Sequence, residues 1–111
     1  MNYNEVPSCS ETDDLVAQKV KKNWEKGYAS KNYTSGIFAA WEVIDSLLWI
    51  GCSVVVTVVR LDETVVEVHK IVPGKGGMPP TSKVIGVGVA PAAPLAICRA
   101  ALNAVSSLEE K

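Results

Sequence analysis

The chain is short of the residues that most enzymes and most DNA-binding proteins depend on. It has one histidine, one phenylalanine and no CxxC pair among its three cysteines. A single histidine excludes a multi-histidine zinc site within one chain. No GxSxG, HExxH or Walker A spacing occurs, so neither catalytic residues nor a metal site are expected. Lys and Arg total 11 against 12 Asp and Glu, a formal charge of -1. That balance lacks the basic excess of a general duplex nucleic-acid binder. No apolar run is long enough to cross a bilayer as a helix, and Met1–Glu5 shows no basic or apolar leader pattern. Three unpaired cysteines, Cys9, Cys52 and Cys98, suit free thiols in a reducing cytoplasm.

What remains is an ordinary globular composition. The 111 residues are 48% hydrophobic and 21% charged, enough for one domain with one core. Residues 1–9 read as a flexible lead-in. Ser10-Glu11-Thr12-Asp13 resembles a capping box, with Asp13 and Asp14 in the first turn. Leu15, Val16, Val20 and Trp24 share a helical face, and Gly27 ends it, so a first helix is expected over about 11–26. Ser35 is the candidate cap of a second helix. Ile37, Ala40, Trp41, Ile44, Leu47 and Leu48 form its apolar stripe, and Gly51 closes it.

The period then changes. Cys52–Arg60 is rich in β-branched residues, Leu61–Thr64 connects, and residues 65–72 return, a β-hairpin. Residues 73–82, with three Gly and three Pro, read as an irregular exposed loop. A third strand follows over 83–90. Its Gly86 and Gly88 lie on one face, where a helix or a ligand can approach the backbone closely. Pro94 suits the first turn of a last helix with the stripe Leu95, Cys98, Leu102 and Val105; residues 106–111 are expected to fray. The fold class is α+β: a single domain in the order α-α-β-β-β-α, a small antiparallel sheet packed with helices.

Few side chains point to chemistry. Arg99 flanks the last helix's stripe, and an arginine at a core edge meets a carboxylate, a helix C-terminus or a ligand phosphate. A structural salt bridge is the plainer of these. Trp24 and Trp41 are expected in the core. Trp49 fits the second stripe poorly, which leaves a core edge, a subunit interface or a base stack. Tyr28 and Tyr33 flank a polar connection that is either solvated or a nucleotide contact. His69, in a strand between Val68 and Lys70, is expected to be partly exposed.

Three segments together resemble a known family. They are Tyr33–Ile44 with its Ala-Ala-Trp-Glu-Val run, Pro94–Leu102 with Pro-Leu-Ala-Ile-Cys-Arg-Ala, and the Leu15–Val20 helix followed by Trp24. Over residues 13–105 the chain resembles the phage α-β-α sandwich family of small phage proteins. It is similar, more distantly, to the Thoeris anti-defence sponge family. The sponge resemblance implies a non-catalytic protein that sequesters a cyclic nucleotide immune signal, such as a cyclic ADP-ribose isomer or a cyclic oligonucleotide. It implies the cytoplasm of an infected bacterial host, no cofactor, and Arg99 in the phosphate-contacting role. Gly86, Gly88, Trp49 and Tyr33 are the remaining candidate ligand contacts. A thin sheet builds a deep pocket most easily between subunits, so a homo-oligomer built from dimers is expected. The alternative is a small accessory protein that binds a host protein partner.

Overall fold

A computed structural model describes Val6, residues 10–21 and residues 33–109. The element order is α1 (Ser10–Val16) with a π-helical turn (Ala17–Lys21), α2 (Ile37–Trp49), β1 (Cys52–Arg60), β2 (Glu63–Val72), β3 (Thr81–Ala90) and α3 (Ala93–Glu109). This is the α+β order and the antiparallel sheet expected from residue periodicity. The expected helix over 11–26 is helical to Lys21, and its remainder, with Trp24, Gly27 and Tyr28, lies outside the described residues. The last helix runs to Glu109, four residues into the stretch expected to fray, because Leu108 packs against the core.

The sheet order is β1-β2-β3, antiparallel throughout. In the register, Val54 opposes Val68 and Val56 opposes Val66, while Val66 opposes Gly88 and Val68 opposes Gly86. Valines and glycines therefore line one face together, and α3 lies on it. Val66 and Val68 are fully buried there, each worth about 1.5–3 kcal/mol relative to exposure.

The glycines set how close that helix comes. A Cβ added at Gly86 would lie 2.5 Å from Ala100 O, and one at Gly88 2.3 Å from Ala96 O and 2.4 Å from Ala100 N. Only a bare backbone opposite the small residues Ala96, Ala100 and Ala104 allows this contact. α2 packs beside α3 and over β1, and α1 with its π-helical turn packs on both helices. Gly51 ends α2 at φ +86°, the left-handed cap expected of it.

One expectation about a helix start fails. α2 begins after Gly36, whose extended backbone carries no side-chain cap, so Ser35 is not its cap. Tyr33 and Thr34 are instead drawn inward. Tyr33 is fully buried, and the buried Asp13 carboxylate accepts hydrogen bonds from Thr34 N and Thr34 Oγ1, both at 2.8 Å. One carboxylate thus ties the first turn of α1 to the entry of α2, over 21 residues of chain. Such charge-assisted bonds satisfy the charge locally.

Candidate functional site

The five candidate ligand residues do not form one cleft. Tyr33 belongs to the core, so its ring meets no solute; the polar connection around it misled the sequence reading. Gly86 and Gly88 are buried under α3, which takes the approach that the bare strand offers and leaves no space for a ligand on that face. Trp49 is 89% exposed at the end of α2, so it is not a core-edge residue. Arg99 sits beside Gly88, with its Cβ 2.9 Å from where an alanine Cβ would stand.

Arg99 makes no ion pair among the described residues. Its Nε donates to Val6 O at 2.9 Å and its Nη1 to Val89 O at 2.7 Å. In place of the expected salt bridge, the described residues give a clamp on two carbonyls, which holds Val6 against the end of β3. Among the described residues no carboxylate meets the guanidinium, and two of its five N–H donors are used. Next to it, Asn103 Nδ2 donates to Val87 O at 2.9 Å. Both donors project from α3, and both hold β3.

The other titratable groups have quieter roles. His69 Nε2 lies 3.0 Å from Glu67 Oε1, its same-face neighbour two residues back on β2, and the histidine is partly exposed. Cys52 and Cys98 are buried free thiols. Burial pushes the Cys98 thiol up to about 12, with Asp13 adding in the same direction, and burial also raises Cys52 against the pull of Lys70. Neither is a ready nucleophile at neutral pH. No cluster of His, Cys, Asp or Glu among the described residues is arranged to hold a metal ion.

The largest surface feature was only half legible. Ten of the thirteen residues of α2 are apolar. Ala39, Ala40, Val43, Ile44 and Leu47 turn inward. Trp41, expected in the core, is 57% exposed, and Phe38 is 87% exposed. Ile37, Leu48 and Trp49 join them. At 100° per residue these five fall on one arc opposite the buried one, with Asp45 in its middle. The alanines explain the reversal. A helix that must lie close to α3 turns its smallest residues inward, and its indoles then point out. The composition held the signal, because a helix apolar all round is normally covered all round.

The chain matches no protein-family model, curated protein or solved structure. No helix among the described residues is long and apolar enough to cross a membrane.

Proposed function

We propose that the chain is a non-catalytic binding protein whose outer α2 face meets a protein partner. The observation that carries this is the exposed arc of Phe38, Trp41 and Trp49. At 150–250 Å² per aromatic side chain, their exposed parts amount to roughly 450 Å², the scale of a working patch on a small protein. Exposed indole rings on a rigid helix are typical binding hot spots. α2 carries no Lys or Arg, and Asp45 stands exposed within the arc. A segment with an apolar ridge and a basic side chain complements it in both respects. On the resemblance to phage proteins, that segment belongs to a host protein which the chain occupies and blocks.

Capture from host lysate by the immobilised chain tests the surface. Phe38→Ser with Trp41→Ser, and separately Asp45→Lys, are expected to lose one captured protein that Thr57→Lys retains. Capture indifferent to all three variants rejects the reading.

A second reading is sequestration of a small anionic signal such as a cyclic ADP-ribose isomer or a cyclic oligonucleotide. Arg99 favours it, as a guanidinium that meets no carboxylate among the described residues fits a phosphate. Calorimetry with cyclic ADP-ribose isomers and cyclic di- and trinucleotides is the test. Binding that collapses in Arg99→Ala supports it, and recovery of the ligand unchanged separates a sponge from an enzyme. Heat-silent titrations across that panel reject it.

A further inference from the structure

The sheet has two edges, and the chain treats them differently. At β3, the carbonyls of Val87 and Val89 already hold donors from Asn103 and Arg99, and Arg99 brings Val6 alongside. Natural sheets blunt an edge in this way, because an open row of backbone groups recruits another strand. Among the described residues, β1 has no such cover. Every residue from Val55 to Arg60 is exposed, on both faces of the strand, with Val58 68% exposed and Leu61 beyond it fully so. The usual charged or proline gatekeepers are also missing. No Lys, Asp, Glu or Pro occurs in Cys52–Arg60, and its one charge is the terminal Arg60.

We propose that β1 pairs antiparallel with β1 of a second copy, joining two three-stranded sheets into one of six strands. A strand that meets itself about a twofold axis at Val56 sets Val54 against the partner's Val58 and Val55 against the partner's Thr57. These are β-branched cross-strand pairs, which antiparallel sheets favour, and no like charges face each other. The ends are complementary as well. Beyond the register shift between Val58 and Arg60, Arg60 comes near the partner's Cys52, next to the C-terminal end of the partner's α2. That end carries partial negative charge, and the last turn of α2 has no basic residue of its own. A second copy therefore supplies what this edge lacks: backbone partners, apolar cover and a cation at the helix end. A contact made by one strand edge is small beside the roughly 800 Å² per partner of a standard interface, so the dimer dissociates on dilution.

Sedimentation of the purified chain over a concentration series tests this without any outside partner. The expected result is a two-chain mass at high concentration that falls to one chain on dilution. Val58→Lys and Thr57→Lys, both at exposed positions, shift the mass to one chain throughout while the urea midpoint of the diluted protein stays at the wild-type value. A one-chain mass for wild type at every concentration overturns the proposal. So does a two-chain mass that survives both lysines, or one that Trp41→Ser abolishes and Val58→Lys does not, which would assign the contact to α2. Because no host protein or nucleotide enters the experiment, its failure leaves the proposed function standing, and the reverse also holds.

Discussion

The α3–β3 side of the molecule and the α2–β1 side are built from similar amounts of apolar residue and end in opposite states. On the first, glycines face alanines, the helix touches the strand backbone, and Arg99 and Asn103 hold the edge. On the second, α2 turns its alanines inward and its tryptophans outward, and β1 lies bare. The difference teaches where stability and contact reside. Side chains that fit at no spare distance hold the fold, whereas large apolar side chains with nothing against them add little to it and are available for association.

The largest effect belongs to the closed side. Gly88→Ala forces a methyl group into the backbone of Ala96 and Ala100, and urea denaturation should show a loss of about 3 kcal/mol. Gly86→Ala, with contacts only slightly longer, should follow closely. A fully stable Gly88→Ala protein would mean that α3 does not sit on that strand. Next is Asp13→Ala, which leaves Thr34 N without its buried acceptor and should cost about 2 kcal/mol by the same measurement.

Alkaline pH probes the same core. The unfolded Cys98 thiol ionises near 9.0, while the folded one keeps its proton to about 12. The native state therefore binds the extra proton between these values. Stability is unaffected below this window and falls as pH rises through it, by about 1.4 kcal/mol per unit. Cys98→Ala should flatten that slope in a pH series of urea midpoints. An unchanged slope would place the thiol in water. Arg99→Ala removes two hydrogen bonds and should cost about 1 kcal/mol. On the open side, Phe38→Ser, Trp41→Ser and Trp49→Ser should each change stability by less than about 0.5 kcal/mol. A loss of several kcal/mol in any of them would show that this face is core, and the comparison would fail.

Much of this arrangement was legible in the residues. Period and β-branching placed the helices, the hairpin and the third strand, and the spacing of Gly86 and Gly88 announced a close approach. The choice between a helix and a ligand for that approach was not legible, because it depends on Ala96 and Ala100 lying opposite in space. The same limit applies to Trp41. A helix apolar at ten of thirteen positions has no unique stripe, and which arc turns inward is decided by how near its neighbour must come. Tyr33 and Thr34 read as part of a connection that is either solvated or a nucleotide contact, since the partner that draws Thr34 inward is Asp13, 21 residues away. For Arg99, helical spacing set its place at the core edge, but its partners are backbone carbonyls, and no residue pattern marks those.

Hydrogen exchange measured at high and low protein concentration tests the contrast between the two sides most directly. The account predicts that the β1 amides facing away from β2 are protected in concentrated solution and become exchangeable on dilution, while those of β1 bonded to β2 and those of β3 and α3 stay equally protected in both. Exchange of these outward β1 amides at one rate regardless of concentration, or protection of β3 that changes with dilution, would contradict it.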